Sequence, residues 1–110
     1  MSEKPNEKIR EGLGRFDKLL EHRARLGICV LLARNDSLSF SRLKELLQET
    51  DGSLGAHLRK LEDAGYLTVN KQFQDRKPVS WYALTPQGRD AFTSHLSALQ
   101  QVIEQGTDTG

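Results

Sequence analysis

Few side chains in this sequence have the types and spacing that catalysis or metal binding requires. The three histidines, His22, His57 and His95, stand far apart, and none lies at metal-binding spacing from the single cysteine, Cys29. One cysteine excludes an intramolecular disulfide, and its place in the most apolar segment indicates a buried, inert thiol. The sequence also contains neither a glycine-rich phosphate loop nor a nucleophile elbow. We therefore predict no enzyme, no catalytic residue, no metal site and no cofactor.

Another group of residues has the chemistry of a contact with nucleic acid. On the outward side of a helix predicted over residues 52–64, the side chains are small or able to form hydrogen bonds: Gly52, Ser53, Ala56, His57 and Lys60. Small residues near a helix N-terminus let its backbone approach base edges and phosphates closely. The alternative interpretation is an ordinary solvated helix face.

Two further sets of residues extend this candidate surface. Three basic residues of a predicted hairpin suit contacts with phosphates or the minor groove: Lys71, Arg76 and Lys77. Three residues early in the preceding helix have the types that position a protein on the DNA backbone: Ser41, Arg42 and Lys44. Simple exposure to solvent is the alternative for both sets, because such residues are common on any protein surface.

The distribution of charge gives the nucleic-acid interpretation local support. The chain has 16 basic and 15 acidic residues and a net charge of +1, which excludes a polybasic, histone-like protein. The net charge is +2 over residues 1–50, +1 over residues 51–77 and −2 over residues 78–110. The basic excess therefore lies in the part that holds the candidate contacts, and we expect modest non-specific binding.

The hydrophobic pattern predicts one mostly α-helical domain with a small β-hairpin. Leu, Ile, Val and Phe account for 28 of the 110 residues, which is enough for a folded core. The predicted elements, in chain order, are helices over 8–20 and 23–34, a short strand at 38–40, a helix capped by Ser39, the helix over 52–64, strands at 67–73 and 79–84, and a last helix over 86–105. Gly12 and Gly14 each weaken the first helix by about 1 kcal/mol relative to alanine, so we expect it to be frayed or broken. Residues 1–7 are predicted to be a disordered arm, residues 106–110 a disordered tail, and residues 8–105 the domain between them. Two helices joined by a tight turn and followed by a hairpin are typical of a winged helix-turn-helix.

At this level of detail the sequence resembles a known family. The run DGSLGAHLRKLEDAGY at residues 51–66 is followed by Lys71-x-Phe73, by RKP at residues 76–78 and by YALTPQGRDAF at residues 82–92. This ordered set is similar to the small single-domain winged-helix transcriptional regulators of the arsenic-repressor and multiple-antibiotic-resistance-regulator superfamily, and it covers about residues 16–99. The resemblance implies that the helix over 52–64 reads the major groove of DNA and that the hairpin lies on the flanking backbone. The paired cysteines of metal-sensing relatives are missing from that helix.

The first and last predicted helices carry matching apolar stripes. Their members recur with one heptad-like spacing, which suits pairing between helices: Ile9, Leu13, Phe16, Leu20, Phe92, Leu96, Leu99 and Ile103. The resemblance implies that these helices build a two-fold dimer with N- and C-terminal dimerisation helices, which would bind a pseudo-palindromic site. The alternative is that both stripes cover the core of their own domain and leave a monomer.

Together these observations predict a homodimeric, sequence-specific regulator of transcription that binds double-stranded DNA, most simply as a repressor. The alternative is a protein-interaction module that uses the same surfaces without binding DNA. The first eight residues have no apolar core of a secretory signal, and the longest apolar run, residues 26–33, is too short to span a bilayer. We therefore expect a cytoplasmic protein with no membrane partner, and no constellation of residues identifies a small-molecule effector.

Overall fold

The structure is a computed structural model that describes residues 4–107. Within them the chain forms five α-helices, one turn of 3₁₀ helix and a three-stranded antiparallel sheet. The helices are α1 (Lys4–Gly14), α2 (Arg23–Arg34), α3 (Phe40–Leu47), α4 (Asp51–Asp63) and α5 (Pro86–Thr107), and the 3₁₀ turn is Lys18–Leu20. The strands are β1 (Leu38–Ser39), β2 (Leu67–Gln74) and β3 (Lys77–Leu84), in the spatial order β1-β3-β2. The predicted fold class, a winged helix-turn-helix, is confirmed, and the β2–β3 hairpin is its wing.

Helix α2 lies at the centre of the core. Its Ile28, Cys29 and Leu32 are fully buried, and leucines of the 3₁₀ turn, α3 and α4 pack in the same cluster. Burial, together with the charge of Asp17, raises the pKa of the Cys29 thiol to about 12. The thiolate is the reactive form of cysteine, so this thiol is unreactive, as the sequence predicts.

Local groups define where α3 begins and ends and where α4 begins. Ser39 caps α3 by accepting the Arg42 N–H at 3.1 Å, and Thr50 caps α4 by accepting the Ser53 N–H at 3.1 Å. Between the helices Gln48 takes the left-handed conformation, with φ 53° and ψ 49°, where a helix commonly ends. These caps satisfy amide groups that the helix termini leave free.

A close backbone contact fixes the start of α5 beside the end of α4. Gly65 has a φ of +82°, as expected for the residue that ends a helix in the left-handed conformation. The Thr85 hydroxyl donates to the Gly65 carbonyl at 2.6 Å and accepts the Gly88 N–H at 2.9 Å. A Cβ at Gly88 would lie 2.1 Å from the carbonyl oxygen of Tyr66, so only glycine fits there. The hairpin is thereby held between two helices whose ends are joined.

The helix bounds at both ends differ from the prediction. The first predicted helix is broken, as its glycines indicate: α1 ends at Gly14, and Lys18–Leu20 form a separate 3₁₀ turn. Asp17, between them, makes contacts that a continuous helix would prevent. Its carboxylate accepts the Leu19 N–H at 2.9 Å and the Tyr66 hydroxyl, and its own N–H donates to His95 Nδ1 at 3.0 Å. Residues 4–7 of the predicted arm and residues 106–107 of the predicted tail are helical. The rest of the arm and tail, residues 1–3 and 108–110, lies outside the described residues.

Candidate nucleic-acid interface

The exposed side of α4 carries the small residues that the sequence singled out. Gly52, Ala56 and Lys60 are exposed, whereas Ser53 is half-buried and its hydroxyl donates to Glu49 Oε1 at 2.6 Å. A Cβ added at Gly52 or Gly55 would meet no atom within 4 Å. The packing of the chain therefore does not require glycine at either position, and both leave the backbone of α4 open to close approach from outside.

His57 lies on the flank of α4 that contacts α2. Its ring is 4.3 Å from the ring of His22, centroid to centroid, and its Nδ1 lies 3.1 Å from Nη1 of Arg25. The Arg25 Nε in turn donates to the carbonyl of Leu19 at 2.6 Å. Because a guanidinium only donates, Nδ1 is the acceptor and the proton of the neutral ring is on Nε2. The expectation that His57 points freely away from the core is thus corrected: it is half-buried and joins α4 to α2.

The electrostatic environment favours the neutral form of His57. Desolvation is the main cause that lowers its pKa from the ordinary 6.5, and the neighbouring His22 and Arg25 lower it further. Glu49 acts in the opposite direction and Lys60 in the same direction. The imidazole is therefore a hydrogen-bonding group without charge at neutral pH.

Two of the α3 side chains that are predicted to contact the DNA backbone form ion pairs with carboxylates. Lys44 Nζ lies 2.9 Å from Asp51 Oδ1 and links α3 to the first turn of α4, and Arg42 pairs with Glu45 one turn along α3. All four side chains are exposed, so each pair contributes about 1 kcal/mol or less and exchanges readily with other ions. Ser41 is exposed beside them. These cations remain accessible to phosphate.

The wing closes in a tight turn that contains no glycine. Eight residue pairs join β2 and β3, from Leu67↔Leu84 to Gln74↔Lys77, and only Asp75 and Arg76 form the loop. Both have positive φ, 51° and 67°, as a two-residue type I′ turn requires. An arginine there costs about 1 kcal/mol relative to glycine, and the turn presents its side chain to solvent.

A groove of about 390 Å³ separates α4 from the wing. Arg59 borders it on the α4 side and Lys71 on the β2 side, with Glu62 and Tyr82 also in its lining. Burial, and secondarily Glu62, raises the pKa of Tyr82, so its hydroxyl remains protonated. Sequence reasoning missed Arg59, although it stands three residues after Ala56 and hence on the same side of the helix.

Phe73 on β2 does not pack against the rest of the domain. It shares one face of the strand with the buried Leu67 and the half-buried Val69, but it is 78% exposed. The alternation is correct in register, since Phe73 stands opposite Pro78 on the same face as Val69 and Lys71. The wing extends beyond the helices at this point, and the face therefore has nothing of its own chain to pack against.

Helix α1 packs against α5 of the same chain. As a result, some residues of the two apolar stripes are covered and others stay exposed. A Cβ at Gly12 would lie 2.7 Å from Val102, and the Phe16 ring meets the His95 ring edge-on at 5.3 Å. Three members of the stripes stay exposed: Leu13, Leu96 and Ile103, by 51%, 41% and 60%. Three are half-buried: Ile9, Phe16 and Leu99. Leu20 and Phe92 are buried in the core of their own domain, which corrects their place in the predicted dimer interface.

Comparison with known proteins identifies the family. A family model described as "Winged helix DNA-binding domain" matches residues 24–103. The chain belongs to this family. The resemblance to small winged-helix regulators is thereby confirmed, and the family and fold are those of DNA-binding transcriptional regulators, which are not enzymes.

Three relatives show how far the similarity of this winged-helix chain extends. The uncharacterized protein MJ0432 of Methanocaldococcus jannaschii is 32% identical over 85 residues, which are 77% of this chain and 92% of that protein. A transcriptional regulator homologue from Pyrococcus horikoshii OT3 has a TM-score of 0.80 at 31% identity, over 93% of this chain and 98% of its own. Lactococcus lactis ZitR, solved as a mutant in complex with DNA, has a TM-score of 0.58 at 18% identity, over 80% of this chain and 59% of its own.

The winged-helix domain offers little other chemistry. Among residues 4–107, no three histidine, cysteine or carboxylate side chains converge to hold a metal ion. In the same part of the chain, no helix is both long and apolar enough to cross a membrane. His95 is buried, and its Nδ1 is occupied by the Asp17 N–H at 3.0 Å.

Proposed function

We propose that this regulator binds a specific double-stranded DNA site as a homodimer and represses transcription by occluding that site. The observation that carries the proposal is the open face of α4, where a Cβ added at Gly52 or Gly55 would meet no atom within 4 Å and Lys60 is exposed. An α-helix with its side chains is about 10–12 Å in diameter, which fits a major groove about 12 Å wide. In this account α4 is the recognition helix.

The proposed roles follow from where each side chain lies. Residues on α4 contact base edges or let the backbone approach them: Gly52, Ser53, Ala56, His57 and Lys60. His57 would contribute its Nε2–H, because its Nδ1 is held by Arg25. Residues on α3 position the domain on phosphates: Ser41, Arg42 and Lys44. Residues of the wing contact the flanking backbone: Lys71, Arg76 and Lys77. Phosphate contacts supply affinity that depends on salt, whereas base contacts supply specificity.

The proposed dimer uses the parts of α1 and α5 that a single chain leaves uncovered. The interface comprises the exposed and half-buried members of the two stripes: Ile9, Leu13, Phe16, Leu96, Leu99 and Ile103. Large apolar side chains that are half exposed on neighbouring helices favour burial against a second copy. A two-fold dimer would bind half-sites about 34–36 Å apart, or a multiple of that distance.

Selection from genomic DNA, paired with a measurement of mass in solution, tests the proposal. We expect the full chain to enrich fragments that share a pseudo-palindrome and to have the mass of a dimer. Transcription from a template that carries the selected site between promoter and start should fall as protein is added. If no fragment is retarded even at low salt, the chain is a protein-interaction module; a rise in transcription would make it an activator.

A further inference from the structure

One aromatic side chain lies at the surface, away from the core of the domain. The chain has seven aromatic residues, all within residues 4–107, and Phe73 alone among them is exposed. Its ring is 78% exposed, and its cross-strand neighbour Pro78 is exposed as well. Removal of such a ring from the surface would not disturb the core, so its contribution to folding is small.

The strand register shows which side of the wing carries this pair. Side chains alternate across a strand, and Val69, Lys71 and Phe73 therefore share one face of β2. Val69 and Lys71 line the groove that faces Gly55 and Arg59 of α4. The Phe73–Pro78 pair thus continues the α4-facing side of the wing toward its tip.

The charges around the pair indicate the chemistry of its partner. Lys71 shares the face of Phe73 and Pro78, Arg76 lies in the adjoining turn, and Lys77 precedes Pro78 on the opposite face of the wing. Asp75 is the one acidic residue in the segment 71–78. A second copy of this surface would bring like charges together, which disfavours self-association. A polyanion with an apolar interior satisfies both the cations and the ring, and the stacked bases between DNA phosphate strands have that composition.

We propose that Phe73, backed by Pro78, is an apolar wedge that enters the minor groove beside the α4 site and partly unstacks a base step. Phe and Pro are among the side chains that proteins insert in this way, and the wedge bends the duplex toward the major groove. It would favour A·T-rich flanks with flexible pyrimidine–purine steps, because these have no guanine amino group in the groove and deform at low cost. The inference rests on the proposed DNA-binding function.

The experiment uses the full chain and two duplexes of about 40 base pairs, long enough for two half-sites and their flanks. One duplex is A·T-rich, and the other has diaminopurine in place of every adenine. Diaminopurine adds an amino group in the minor groove and leaves the major-groove edges of the base pair unchanged. Dissociation constants and their salt dependence are measured for the wild type, Phe73→Ala, Phe73→Leu and the control Val30→Ala, whose side chain is 39% exposed on α2.

We expect Phe73→Ala to bind the adenine duplex about tenfold more weakly with an unchanged salt slope, since an apolar contact releases no counterion. Phe73→Leu should keep most of the affinity, and Val30→Ala all of it. Diaminopurine should weaken the wild type several-fold and Phe73→Ala little. The inference is overturned if Phe73→Ala binds both duplexes as the wild type does, or if it changes only the mass of the protein in solution. If Lys60→Ala still weakens binding in the first case, the proposed function stands; if the wild type binds neither duplex, both are wrong.

Discussion

The ring of His57 on α4 lies 4.3 Å from the ring of His22 at the start of α2, with the guanidinium of Arg25 bonded to the same imidazole. The candidate recognition helix is therefore joined to the central helix through a titratable group. Protonation of His57 would put an N–H group and a positive charge at Nδ1, where the neutral ring now accepts a hydrogen bond from Arg25.

The free energy of unfolding should decrease as the pH is lowered, because of the contact between His57 and Arg25. The folded state lowers the pKa of His57 below the 6.5 of the free side chain. As the pH falls below about 6.5, the unfolded chain takes up a proton that the folded chain resists, so the free energy of unfolding decreases until the folded pKa is reached. Above pH 6.5 the contribution is constant. Urea unfolding of the wild type and His57→Gln between about pH 7.5 and about pH 5 isolates this residue, and the variant should lose less stability. Equal losses would show that His57 does not titrate differently on folding.

Gly88→Ala should destabilise the domain by about 2 kcal/mol or more. The added Cβ would lie 2.1 Å from the Tyr66 carbonyl oxygen, and neither backbone can move without breaking the contacts of Thr85. Gly14→Ala is the matched control, because a Cβ there meets nothing within 4 Å. Thermal or urea unfolding measures both variants. A Gly88→Ala protein as stable as the control would mean that α5 can shift away from Tyr66.

Arg76 combines backbone strain with a proposed phosphate contact, and two substitutions separate these roles. Arg76→Ala removes only the charge, while Arg76→Gly also relieves the left-handed φ of 67°. Both should flatten the salt dependence of DNA binding by about one unit or less. Only the glycine variant should slow amide hydrogen exchange in β2 and β3, by up to about fivefold, which corresponds to about 1 kcal/mol. Equal exchange in the two variants would show that the turn is not strained.

Exposed and buried residues of the two apolar stripes should respond differently to substitution: one kind affects the dimer and the other the stability of the domain. Ile103→Glu places a charge on a side chain that is 60% exposed, so it should reduce the mass in solution to that of a monomer. Leu20→Ala empties a fully buried site and should lower stability by about 2–5 kcal/mol. Analytical ultracentrifugation and urea unfolding measure the two effects. A dimer that survives both Ile103→Glu and Leu96→Glu would place the interface elsewhere.

Local signals allowed the helix-turn-helix and its caps to be predicted from the sequence. Ser39 caps α3 through the nearby Arg42 N–H alone, so its type and spacing are sufficient to identify its role. The break after Gly14 is predicted by Gly12 and Gly14, which weaken the helix locally. The contacts of Asp17 with Tyr66 and His95 join residues that are distant in sequence, and no local pattern encodes them. The same reason explains Leu20 and Phe92, since an apolar stripe does not reveal whether it packs on its own domain or on a partner.

The candidate site was predictable in its elements but not in its side-chain environment. The pattern placed Gly52, Ala56 and Lys60 on the open side of α4, where they lie. It gave no sign that His57 would be held by Arg25, or that Phe73 would extend past the last packing partner of the wing. Both outcomes depend on how far the helices reach, which is a property of the assembled fold.

The role of α4 in recognition is tested most directly by titration of Lys60→Ala against DNA. The binding site recovered by selection and a scrambled duplex of equal length are titrated at one fixed salt concentration, with Lys8→Ala, an exposed lysine on α1, as the control. We expect Lys60→Ala to bind the selected site about tenfold more weakly, and the scrambled duplex with a smaller loss, while Lys8→Ala binds both as the wild type does. Unchanged affinity of Lys60→Ala for the selected site would contradict the assignment of α4 as the recognition helix.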